Sequence, residues 1–149
     1  MTQILNTDHH NDHTSRNLEL KQGTNCKIVG SRNDRYRIPG INVAVDEGDT
    51  FDLGNVFATI FDVSGHSLGH IAYWFEENKK AFCGGSVFAI GCGRVIVGEL
   101  NQIRASLEKL EALPGETLIY CAPLQKTLGP AGAEPVGVFT GIRKRKEAF

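Results

Sequence analysis

Residues 4–17 read ILNTDHHNDHTSRN, an apolar start followed by three of the chain's five histidines and two aspartates. This is the pattern of a buried strand emptying into a polar loop. A hydrolytic metal centre needs neutral imidazoles and carboxylates so closely spaced that one loop delivers several of them. His10, Asp12 and His13 have that spacing and are expected on a loop directly after the strand. A second stretch, SGHSLGHIAYWF at residues 64–75, sets His66 in a glycine-flanked turn ahead of another apolar run. A lone histidine in such a place is more often a solvated loop residue, and His9 and His70 are read that way. His10, Asp12, His13 and His66 share one strand-and-loop context, and together they favour a site.

Around these stretches the chain reads as one strand-rich α/β domain. Its 149 residues are enough for a single core and few for two. A formal charge of −1 provides no field to attract nucleic acid or a membrane surface. There is no apolar run of membrane-spanning length, and MTQILNTDHH lacks the pattern of an export signal, so a cytoplasmic protein is expected. Cys26, Cys83, Cys92 and Cys121 form no C-x-x-C pair and read as buried filler rather than zinc ligands.

Turn chemistry and periodicity divide the rest. NLELKQGTNCKIVGS reads as a short helix, a turn and a strand. INVAVDEGDTFDLGNVFATIFDV reads as strands parted by EGD and LGN turns, with Phe51, Leu53, Phe57 and Ile60 supplying core surface. HIAYWF and KAFCGGSVFAI are further strands joined by the charged turn EENKK. In ELNQIRASLEKLEAL, Leu100, Ile103, Leu107, Leu110 and Leu113 recur at helical spacing, and Pro114-Gly115 ends the helix. TLIYCA is a buried strand, TLGPAGAEPVG a loop or linker, and GIRKRKEAF a basic tail.

The segments ILNTDHHNDH, RIPGINVAVDEGDTFDLGN, SGHSLGHIAYWF, FCGGSVFAIGCGR, SLEKLEALPGETLIYC and IRKRKEAF follow in an order that resembles one family. It is the glyoxalase II (hydroxyacylglutathione hydrolase) branch of the metallo-β-lactamase fold. The resemblance implies an αββα sandwich with a dinuclear metal centre. It also implies hydrolysis of a glutathione thioester such as S-D-lactoylglutathione to glutathione and a 2-hydroxy acid.

Carried over residue by residue, the match is uneven. Thr7, His10, Asp12 and His13 fit the family loop T-H-x-H-x-D-H, and His66 fits the turn ligand. Asp8 stands where the first histidine belongs. Gly85 takes the place of the bridging aspartate in F-x-G-D-T-L-F, and Pro123 that of the last histidine in Y-C-G-H-E-Y-T. One site keeps Asp8, His10 and His66, a set able to hold a single zinc, iron or manganese ion. The other keeps only Asp12 and His13 and is expected to be empty; Asp12 is then the residue to orient water or take its proton. If the first site is dead as well, the chain holds no metal. Arg94, Arg143 and Lys146 match the basic groups that grip the glutathione carboxylates. Ile96 and Gln125 replace aromatics of the glutathione channel.

Family members carry strands ahead of ILNT and a helical segment where this chain has LGPAG. The expectation is therefore an incomplete sandwich, with residues 1–128 a partial domain and residues 129–149 a linker and basic tail. An uncovered sheet face implies marginal stability, or a partner or a second copy in a homo-oligomer lying over it. The expected function is metal-dependent thioester hydrolysis, lost or strongly impaired. The alternative is a relic that binds glutathione conjugates or a protein partner without turnover.

Overall fold

The computed structural model describes residues 1–88, 91–92, 100–121 and 138–140. Strand β1 (Gln3–Leu5) runs into a one-turn helix, α1 (Asn11–Thr14), then α2 (Asn17–Thr24) and β2 (Lys27–Ser31). There follow β3 (Val43–Val45), β4 (Thr50–Leu53), β5 (Val56–Asp62), β6 (Ile71–Phe75) and β7 (Lys80–Gly84). A small pair, β8 (Val87–Phe88) with β9 (Gly91–Cys92), precedes α3 (Leu100–Glu111), β10 (Leu118–Cys121) and β11 (Val138–Thr140). Strands β1, β2 and β3 form a parallel sheet. The larger sheet has the order β11-β10-β7-β6-β5-β4, antiparallel throughout except where β10 runs parallel to β7.

The uninterrupted apolar run IAYWF is explained by β6, all five of whose residues are buried. Successive side chains of a strand point to opposite faces. Ala72 and Trp74 join a core with Val63, Ala81, Cys83, Ile119 and Leu110 of α3. Ile71, Tyr73 and Phe75 join another with Val29, Val45, Ala58 and Ile60, between the two sheets. A strand covered on both faces has no use for alternation. Leu18 of α2 and Ile28 of β2 both come up against Gly40, and α2 packs on β2 on the side away from Val29. The layers are therefore helix, small sheet, large sheet, helix, as the αββα expectation requires.

Three local expectations need correction. His10, Asp12 and His13 are not on an open loop, because Asn11–Thr14 closes into a helical turn with His10 as its N-cap. Phe57 is 42% exposed: it shares a face with Phe61 but lies beyond the cover of the described part of α3. Leu100 is 75% exposed at the first position of α3, whose buried positions are Ile103, Ser106 and Leu110. One strand of the large sheet, β11, comes from beyond residue 128, inside the stretch expected to be linker and tail. Cys26, Cys83 and Cys121 are buried, as expected of them. Among the described residues no helix is long and apolar enough to cross a membrane.

Tyr73 ties the two sheets together. Its hydroxyl is buried and donates to the carbonyl of Asn6 at 3.0 Å, just past the end of β1. Burial holds the phenol well above its ordinary pKa, so it stays a donor. Replacing Tyr73 with phenylalanine strips that carbonyl of its donor in a dry site, at a cost of about 1–2 kcal/mol. The expected fall in melting temperature is roughly 3–6 °C; an unchanged melt would show that the contact is idle.

Candidate metal centre

Asp8 sits at the centre of the histidine cluster and is fully buried. Its Oδ2 lies 2.8 Å from His10 Nδ1 and 3.6 Å from His70 Nδ1. Its Oδ1 accepts from the His10 backbone amide at 3.2 Å and lies 3.9 Å from His13 Nε2. Burial pushes the carboxyl pKa up, but His70, His13 and His10 together outweigh it and hold Asp8 below its ordinary value. The group is therefore an anion at neutral pH, in contact with three imidazoles.

The fold delivers the cluster from two directions. Asn6, just ahead of Thr7 and Asp8, is fixed by its own amide, which donates to the His13 carbonyl at 3.2 Å, and by Asn17, which donates to Asn6 Oδ1 at 2.8 Å. His66 arrives on the turn between β5 and β6, and its ring centroid is 5.0 Å from that of His10. That turn is clamped on both sides. Ser106 of α3 donates to the Ser64 carbonyl at 2.7 Å, and Ser86 donates to the Val63 carbonyl at 3.1 Å. One ligand atom from each of Asp8, His10 and His66 lies within 4.8 Å of the others. Two imidazoles and a carboxylate at that separation fit a divalent metal with open positions.

The remaining expected site residues divide. His13 Nε2 is 3.5 Å from Asp12 Oδ2, and the Asp12 side chain is 72% exposed, at the rim of the cluster. Gly85 is where a side chain would enter the centre: a Cβ there would lie 3.3 Å from His66 Cδ2 and 3.5 Å from His70 Cε1. Arg94, Arg143 and Lys146, like Ile96, Pro123 and Gln125, lie outside the described residues.

His70 and His9 are not solvated loop residues. His70 is fully buried, its Nε2 is 3.1 Å from the Cys83 carbonyl, and burial lowers its pKa to about 4 against the pull of Asp8. The signal was its position immediately before the five-residue apolar run of β6, which buries its flank too. His9 is tied through Nδ1 to the buried carboxylate of Asp34 at 2.7 Å, and its ring lies 4.7 Å from that of His10. Asp34 carries no local mark in SRNDRYR; its role as a partner for His9 emerges only in three dimensions.

Beside the cluster a cavity of about 520 Å³ opens between the sheets, with His13 at one end and Leu5, Tyr73, Phe75, Phe82 and Tyr120 along its walls. Phe82 and Tyr120 stack at 4.5 Å there, so the cavity is an apolar, aromatic space bordering a charged one.

Residues 2–122 match the family described as the metallo-beta-lactamase superfamily, and the chain belongs to it. The similar proteins narrow this. The chain is 52% identical over 119 residues to a hydroxyacylglutathione hydrolase from Methylococcus capsulatus, covering 80% of the chain and 46% of that protein. It is 49% identical over 121 residues to a hydroxyacylglutathione hydrolase from Rhodospirillum rubrum, covering 81% of the chain and 47% of that protein. The chain thus spans about half the length of the curated relatives it matches. Among solved structures, ETHE1 from Myxococcus xanthus superposes with a TM-score of 0.78 at 27% identity, over 97% of this chain and 60% of that one. The metallo-β-lactamase-like fold and the glyoxalase II resemblance both hold.

Proposed function

We propose that the chain is a hydroxyacylglutathione hydrolase-type protein that holds one divalent metal on Asp8, His10 and His66 and hydrolyses glutathione thioesters weakly or not at all. The observation that carries this reading is the close approach of those three ligand atoms, within 4.8 Å, beside a bare glycine. A bound zinc or iron ion supplies a Lewis acid and a water acidic enough to ionise near neutral pH. The protein's own part is smaller than a two-metal site demands. Asp12 Oδ2, at the exposed rim, takes a proton from the attacking water while His13 holds the carboxylate from 3.5 Å. Gly85 and Pro123 contribute no ligand, so a second ion would have only Asp12 and His13. The reading gives Arg94, Arg143 and Lys146 the glutathione carboxylates to hold. The reading includes a cytoplasmic location.

The cavity beside His13 favours a second reading, binding of glutathione conjugates without turnover, because it offers apolar walls to an acyl or S-linked group. One pair of measurements separates the two: metal content of the purified protein, and thioester hydrolysis followed by loss of S-D-lactoylglutathione absorbance. Up to one metal per chain with slow turnover is the expected result; no turnover with retained conjugate binding selects the second reading. Two metals per chain with rapid turnover would overturn both.

Gly85 offers a gain-of-function check. Its backbone is not in the left-handed region, and a Cβ requires His66 to yield only a few tenths of an ångström. Gly85→Asp adds a carboxylate at the centre and is expected to tighten metal binding roughly 10–100-fold, at least what outer-shell partners contribute. Competition against a chromophoric chelator reads this directly. Unchanged affinity would remove Gly85 from the account of the missing ligand.

A further inference from the structure

We infer that His70, through Nδ1, is an additional ligand of the ion held at Asp8, His10 and His66. The inference rests on the single-metal reading and goes beyond it, because the family match assigns His70 no such part.

Three observations carry it. A carbonyl oxygen only accepts, so at 3.1 Å from Cys83 the His70 Nε2 bears the hydrogen and donates it. This tautomer puts the lone pair on Nδ1. That atom is buried without a hydrogen-bond partner, a rare condition for a side-chain nitrogen. It faces Asp8 Oδ2 at 3.6 Å, so two acceptors confront each other in a site closed to solvent.

Acceptors placed in this way repel unless a cation lies between them. A shared proton is a poor candidate, because 3.6 Å is too long for a hydrogen bond between these two atoms. A metal ion fits better. Two ligand atoms of a tetrahedral zinc site with bonds of about 2.0–2.1 Å stand roughly 3.3 Å apart, close to the gap seen here. Metal-binding histidines usually donate their second N–H to a carbonyl or carboxylate, as His70 does to Cys83. Nδ1 is not itself in the 4.8 Å triad and joins it through Asp8, so binding draws the pair in toward the shared ion.

The chemical consequence is a change in the type of site. Three protein ligands leave a tetrahedral position for water, as in catalytic zinc centres, whereas four close the shell, as in structural ones. With His70 counted, the centre holds its ion more firmly and gives up the coordination position that hydrolysis needs.

The test uses cobalt(II) as the probe. In the proton NMR spectrum of the cobalt-loaded chain, three hyperfine-shifted imidazole N–H signals are expected. One should persist in D2O, because the His70 Nε2–H is buried against Cys83. His70→Gln keeps a donor for the Cys83 carbonyl and removes only the Nδ1 lone pair; it should weaken cobalt binding at least tenfold in a chelator competition. Two imidazole signals and an unchanged affinity in the variant would overturn the inference and leave the single-metal reading standing. A wild-type chain that binds no cobalt would bring down both. Should the variant fail to fold by circular dichroism, the wild-type signal count decides alone.

Discussion

Replacing His66 with alanine is expected to lower metal affinity by more than ~100-fold, beyond the cost of losing an outer-shell partner. Asp8 and His10 come from one short segment, and their side chains already touch at 2.8 Å. Without His66, the centre loses one imidazole of its triad and keeps Asp8 and His10, two residues apart, with the inferred His70 Nδ1 as the ligand from the other side. The reduced set hands more of the coordination shell to water and makes a weaker site. The fold should survive, because His66 is only partly buried and the turn around it is held by Ser64, Ser86 and Ser106 through backbone carbonyls. Metal titration paired with a thermal melt of the metal-free variant separates these effects. Retained affinity would show that the ligand triad has been misassigned.

Gly65→Ala should damage the same turn by a different route. Gly65 has φ +136°, a region that residues with a Cβ rarely enter. An added Cβ would also fall 2.2 Å from Ile103 Cγ1 and 3.0 Å from the Ile103 backbone, in the α3 packing seam. Backbone strain of roughly 1–3 kcal/mol adds to an overpacking cost of similar size, about 4 kcal/mol together. For a chain of this length that corresponds to a melting temperature lower by about 10 °C. Because α3 and the turn separate to relieve the clash, His66 is displaced and metal affinity falls too. A variant that melts with the wild type would show that α3 does not rest on the turn as described.

Much of the fold can be read directly from the sequence, because local chemistry and tertiary packing agree there. The EGD and LGN turns, the apolar run of β6 and the spacing of Ile103, Leu107 and Leu110 each encode the element in which they are found. Phe57 and Leu100 mislead for one reason: periodicity reports which face a side chain points to, not how far the opposing layer extends. The helical turn at Asn11–Thr14 was hidden by its length, four residues being too few for a periodic signal. At the site, the loop and turn histidines were legible from their spacing and from the family match. The surroundings were not. Asp34 under His9 and the Cys83 carbonyl under His70 are contacts across 25 and 13 residues, and nothing in the neighbouring letters announces them.

The ligand segment is fastened at several points to the strand that runs through both cores. The Thr7 carbonyl accepts from the Ile71 amide at 2.8 Å, and the Asn6 carbonyl accepts from Tyr73. These bonds break only when β6 leaves its two layers, so local fraying of the segment costs nearly as much as opening the whole domain. The centre is in this sense preorganised before any ion arrives. The Ile71 amide hydrogen, held against Thr7, should exchange only at the slow rate of global unfolding. An incoming ion meets a backbone already in position and has only side chains to draw inward.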